Sequence, residues 1–145
     1  MNNNGPVLGF TGKISSRLDF VLLSKLASNH FDWNFAMIGP CENYNSKKDT
    51  AYYAFATSQN VNMLGPKPYQ DLPKQMRSID VCILPYMVND PFNVHCSPLK
   101  LYKYLATGKL IVSTNLPVVA KFKGPVRIAE TPEDFGQQVI KALKE

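Results

Sequence analysis

Two short stretches of this chain carry the residue types that hold an anion. The first is Thr11-Gly12-Lys13-Ile14-Ser15-Ser16-Arg17, which follows an apolar run. Gly12 lets the backbone turn or approach a ligand closely. Lys13 and Arg17 then place two cations ahead of an amphipathic segment. The amide N–H groups and dipole of a helix N-terminus already favour negative charge there. The second stretch is His95-Cys96-Ser97-Pro98-Leu99-Lys100. Ser97 is a good N-cap and Pro98 suits the first helical position. Lys100 and Lys103 lie three apart and share one helix face, while Leu101 and Leu105 point to the core. The chemistry implied is binding of phosphate. Neither G-x-G-x-x-G nor the Walker A pattern is present, so neither a dinucleotide site nor a P-loop is supported. Each stretch also admits a plainer reading, a solvated basic surface.

Other chemistry is poorly served. No Ser-His-Asp order, H-E-x-x-H pair or cluster of metal ligands occurs. His30 closes a helical segment and reads as a C-terminal cap. Trp33, Phe35, Tyr52, Tyr53 and Phe55 read as packing, and Tyr69 as a residue that could touch a nucleobase. Cys41, Cys82 and Cys96 form an odd set without C-x-x-C spacing, which points to neither a disulfide framework nor zinc but to a reducing cytoplasm. Cys82 lies in an apolar run and reads as a small core residue.

The elements that must position these residues come from periodicity. Six short apolar runs alternate with amphipathic or polar stretches: 7–11, 35–38, 61–64, 81–84, 110–114 and 126–128. Helical spacing covers 18–28, 51–57, 69–78 and 98–107, with a last helix opened by Thr131 as N-cap and Pro132. The stretches 41–50 and 86–96 read as loops. Wholly apolar strands separated by helices predict an α/β fold: a doubly wound, Rossmann-like parallel sheet of about six strands in three αβα layers. Ligands bind such sheets beyond the carboxyl ends of the strands, where both basic stretches fall.

The bulk numbers agree. At 145 residues, with 45% hydrophobic and 19% charged, the chain fits one domain over 1–145. A net charge of +5 is scattered, not blocked. That suits an anionic small molecule better than nucleic acid. No apolar run approaches the ~18 residues of a membrane span. Residues 1–5 lack the features of a signal peptide.

At these residues the chain resembles the C-terminal domain of GT-B-fold glycosyltransferases of the retaining group. Val61-Asn62-Met63-Leu64-Gly65-Pro66 looks like that family's strand-then-glycine segment. Leu72-Pro73 to Leu84-Pro85 looks like its helix and proline-ended strand. Ser97 to Lys109 looks like its donor-site helix, and Leu110 to Thr114 is similar to the next strand. The resemblance implies a domain that binds a nucleotide-diphosphate sugar. Gly12, Lys13 and Arg17 would lie at the diphosphate, and Gly65 and Pro66 near the base. His95, Ser97, Pro98, Leu99, Lys100 and Lys103 would lie at the phosphates and sugar. It implies no cofactor, no required metal and no catalytic side chain of the domain's own. It also implies a preceding acceptor-binding domain, absent from this sequence, without which the domain would transfer nothing. The expected location is cytoplasmic, at the inner membrane face for a full-length protein. One departure stands out. The family often carries two glutamates eight positions apart, and His95 and Lys103 occupy those positions here. Lysine cannot accept hydrogen bonds from ribose hydroxyls. A second reading is therefore a non-catalytic interaction module with the same fold. A receiver-type domain fits less well, because Thr11, Ile38 and Leu84-Pro85 supply no acids at strand ends, and a flavodoxin-like one because Gly12 to Ser16 only partly matches a phosphate loop rich in Ser, Thr and Gly.

Overall fold

The computed structural model describes residues 4–41, 49–94, 99–122 and 124–145. Strands β1 (Val7–Thr11), β2 (Asn34–Ile38), β3 (Val61–Gly65), β4 (Val81–Leu84), β5 (Leu110–Thr114) and β6 (Val126–Ala129) form one sheet. Its order is β3-β2-β1-β4-β5-β6, and every pairing is parallel. The helices are α1 (Phe20–Asn29), α2 (Thr50–Ala56), α3 (Leu72–Arg77), α4 (Pro91–Val94), α5 (Leu99–Ala106) and α6 (Pro132–Leu143). This is the expected doubly wound arrangement, and the strand order reverses direction between β1 and β4.

Strand periodicity sorts the core into two halves. Leu8, Phe10, Phe35, Met37, Ile83 and Val112 pack on one face with α1, α2 and α6 residues such as Leu23, Phe55 and Phe135. Ala36, Ile38, Cys82, Leu84 and Ile111 face the other way, against Leu101 and Tyr104 of α5. Both faces are buried, so the strands are apolar throughout instead of alternating. Gly9 is required beneath this second face, because a Cβ there would collide with the Ile79 side chain.

Three expectations need correction. The first helix begins at Phe20 and not at Leu18: Asp19 is the N-cap, its carboxylate accepting from the Leu22 amide at 3.0 Å. Leu18 instead pairs with Tyr86 in an isolated antiparallel bridge. The stretch 69–78 is a 3₁₀ turn over Tyr69–Asp71 followed by α3, which has Pro73 in its first turn. Pro lacks an amide hydrogen and is tolerated there. The segment 86–96 is not all loop, since α4 interrupts it. The last strand, β6, pairs along its whole length with β5.

Candidate functional site

A cleft of about 420 Å³ opens at the carboxyl ends of β1, β2 and β3. Its walls include Thr11, Gly12, Gly39, Pro40, Pro66, Lys67, Leu72, Lys100 and Lys103. The loop backbones beneath are joined to one another. The Gly12 amide donates to the Ile38 carbonyl at 2.9 Å, Ile14 to Pro40 at 2.9 Å, and Gly39 to Gly65 at 2.9 Å. Gly39 has φ +142°, and a Cβ there would run into the Gly12 carbonyl, so this backbone crossing needs glycine.

The two basic stretches meet at Lys100. Its side chain reaches from α5 to the turn after β1, where a Cβ on Gly12 would strike Nζ. Nζ donates to the Tyr86 hydroxyl at 2.9 Å and lies 4.3 Å from the Phe10 ring centroid. Lys103 shares the cleft wall, its ammonium 5.8 Å from the exposed Tyr69 ring. The shared helix face expected for Lys100 and Lys103 is therefore directed at one cleft. Leu101 and Tyr104 bury the neighbouring face of α5.

Tyr104 fixes this helix to the sheet. β1 reaches Thr11 in its pairing with β2 but pairs with β4 only at Leu8 and Gly9. The Thr11 amide therefore outruns the β4 ladder, and the Tyr104 hydroxyl accepts from it at 2.9 Å. Burial of the phenol pushes its pKa far above the ordinary value. It stays a neutral hydrogen-bonding group.

Lys13 and Arg17 do not line this cleft. Lys13 is exposed on the turn. Arg17 lies beyond Tyr86, with Cζ 5.8 Å from that ring's centroid and Nε donating to Asn93 Oδ1 at 2.9 Å. Nor does the turn present the expected helix terminus to an anion. The amides of Gly12, Ile14, Leu18 and Asp19 are taken by backbone carbonyls, and Asp19 already supplies a carboxylate at the start of α1. Pro66 lines the cleft, and Gly65 adjoins it through its bond to Gly39. His95, Ser97 and Pro98 lie outside the described residues, and Leu99 is described only as the first residue of α5.

A second hollow of about 430 Å³ runs on between α3 and α5, sharing Thr11, Leu72 and Lys103 with the first. Tyr69, Pro73, Met76 and Ala106 make it apolar, and Arg77, Lys103 and Lys109 rim it. None of the described residues lining either hollow is an acid. Among the described residues, no group of three His, Cys, Asp or Glu side chains could hold a metal ion.

The remaining candidates pack. Trp33, Phe35, Tyr52 and Phe55 are buried, while Tyr53 is exposed. His30 caps α1 and stacks on Trp33 with centroids 3.7 Å apart. Sequence reasoning missed Lys67, Tyr86, Asn93 and Tyr104. Lys67, inside the Gly65–Pro68 turn, was the one with a readable signal.

Comparison with known proteins fits this geometry. The family pattern described as "Glycosyl transferases group 1" matches residues 5–145. This chain belongs to that family. A relative is TuaH of Bacillus subtilis (strain 168), which carries the name of a teichuronic acid biosynthesis glycosyltransferase. It is 37% identical over 121 residues, or 83% of this chain and 30% of TuaH. A glycosyltransferase structure from Rickettsia africae ESF-5 superposes with a TM-score of 0.76 at 14% identity, covering 98% of this chain and 38% of its own. Anabaena Alr3699/HepE, solved in complex with UDP-glucose, gives 0.72 at 12% identity, covering 97% and 40%. The sequence thus spans between 30% and 40% of the length of these proteins. Among the described residues, no helix is long and apolar enough to cross a membrane.

Proposed function

We propose that this domain is the C-terminal, donor-binding half of a retaining glycosyltransferase, and that the cleft at the ends of β1 to β3 holds a nucleotide-diphosphate sugar. The observation that carries the reading is the cleft's one-signed wall. Lys67, Lys100 and Lys103 converge on a floor of Gly12, Gly39, Pro40 and Pro66, with no acid among the described lining residues. A diphosphate ester is the anion of matching charge. The α3–α5 hollow, with exposed Tyr69 at its mouth, takes the uncharged nucleoside end, its base against the apolar wall. The UDP-glucose complex of a protein with the same fold supports the ligand class.

The chemistry follows from charge. When the bond from the anomeric carbon to the diphosphate breaks, negative charge grows on the departing phosphate oxygens. Ammonium groups already in place stabilise that charge without reorganisation. This makes protein cations the leaving-group stabilisers, with no metal needed. The acceptor, bound by a separate domain, completes the reaction, and the donor half alone transfers nothing. The full-length protein would work in the cytoplasm, at the inner face of the membrane, in polysaccharide synthesis.

Titration calorimetry with UDP and GDP tests this. Binding that weakens about tenfold or more in Lys100→Ala, and that falls steeply with salt, is the expected result. A chain that binds neither nucleotide would support the non-catalytic interaction module instead, a reading that Lys103 favours by standing where a ribose-binding carboxylate is common.

A further inference from the structure

Asn93 is fully buried on α4, and its amide is used completely. Nδ2 donates to the Arg17 carbonyl at 2.9 Å and to the Met87 carbonyl at 2.9 Å. Oδ1 accepts from Arg17 Nε at 2.9 Å. The two segments it joins already run side by side. The Met87 amide donates to the Arg17 carbonyl at 2.9 Å and the Asp19 amide to Pro85 at 2.8 Å. Tying these backbones together needs only the two donors of Asn93. The third bond, from its oxygen, does something different: it fixes the side chain of a cation.

That cation is placed for use. Arg17 Nε is committed to Asn93, and among the described residues no other hydrogen bond is made by its guanidinium. The planar terminal amino groups are the fork that meets two oxygens of a phosphoryl group. The guanidinium stands against the Tyr86 ring, whose hydroxyl accepts from Lys100 Nζ at 2.9 Å. One aromatic side chain therefore touches both cations. Thr114 holds that ring's own backbone, donating to the Tyr86 carbonyl at 2.7 Å.

We infer that Asn93 is a positioning residue: it holds the Arg17 guanidinium by Nε so that its terminal amino groups meet phosphoryl oxygens of the nucleotide diphosphate beside Lys100. The inference rests on the donor-site reading above. What it adds to the expected diphosphate contact of Arg17 is the seat of that cation, a side chain 76 positions away in sequence.

The first test needs no substitution at Asn93. The chain has three arginines, Arg17, Arg77 and Arg127. In nitrogen-15 spectra, the Arg17 Nε–H signal, assigned by its loss in Arg17→Lys, should exchange with solvent at least about tenfold more slowly than that of Arg77. It should shift when UDP, or GDP if that binds tighter, is added. Equal exchange rates would overturn the inference. The second test is a cycle. Asn93→Ala should weaken UDP binding about 3–10-fold by returning rotamer freedom to Arg17. In the Arg17→Lys background, which lacks Nε, the same change should cost less than about twofold. An equal loss in both backgrounds would overturn the inference and leave Asn93 a purely structural residue. If Asn93→Ala does not fold, the exchange rate in the unsubstituted chain decides. If the unsubstituted chain binds neither nucleotide, the donor-site reading has failed. A slowly exchanging Arg17 Nε–H would then show the clamp without its ligand.

Discussion

Removing one oxygen atom from the core should loosen the candidate site from beneath. In Tyr104→Phe the ring stays, so the packing against Cys82 and Leu84 is kept and only the hydroxyl is lost. The Thr11 amide then loses its acceptor at a point where β1 has already passed the end of its pairing with β4. A buried donor left without a partner costs about 1–3 kcal/mol, and this half-buried amide falls within that range. For a chain of this size, about 2 kcal/mol lowers the melting temperature by about 4–8 °C. Thermal and urea unfolding measure this, and the urea slope should not change, since compactness is untouched. A second readout is nucleotide affinity. Tyr104 stands on α5 between Lys103 and the sheet, so UDP binding should weaken more than the melting temperature alone implies. A melting temperature within about 1 °C of the unsubstituted chain would refute the reasoning. It would mean that the Thr11 amide finds another acceptor at no cost.

Three further outcomes follow from the same geometry. Gly12→Ala would drive a methyl group into Lys100 Nζ at a backbone φ of +141°. Calorimetry should show UDP binding weakened at least about tenfold, with about 1–3 kcal/mol of stability lost to backbone strain. Burial pushes the Cys82 thiol up to about 12, with Lys109 opposing. At pH 8 iodoacetamide should therefore leave Cys82 intact in the native chain and modify it in urea, as read by mass spectrometry. His30 has its pKa lowered from 6.5, first by burial, with Asp32 opposing. The fold prefers the neutral ring. Stability is thus full above about 6.5 and falls as pH drops through that value toward the lowered native one. Melting temperatures between pH 7.5 and 5 should fall less steeply in His30→Gln.

What the sequence discloses depends on distance along the chain. The six strands were legible because each is a short apolar run closed by a turn, and Ser97-Pro98 and Thr131-Pro132 carry helix starts on their face. Lys100 and Lys103 were legible as partners because a helix repeats every few residues. Tyr104 was not, since its hydroxyl serves an amide 93 positions earlier. Asn93 was hidden for the same reason, and further by lying in a segment whose polar composition reads as loop. Leu18 misled in the opposite way. Its apolar character suited the helix face, yet the competing partner was Tyr86 across the switch between β1 and β4.

The joined backbone beneath the cleft has a consequence for how such a domain changes its ligand. Its loops commit the Gly12, Ile14 and Gly39 amides to the carbonyls of Ile38, Pro40 and Gly65, so these three amides offer no main-chain donor to a bound anion. If the cleft is the donor site, its selectivity would reside in a few replaceable side chains standing on a rigid plate. Exchange of Lys67 or Lys103 would then retune which donor is accepted and leave the plate, and with it the fold, unaltered.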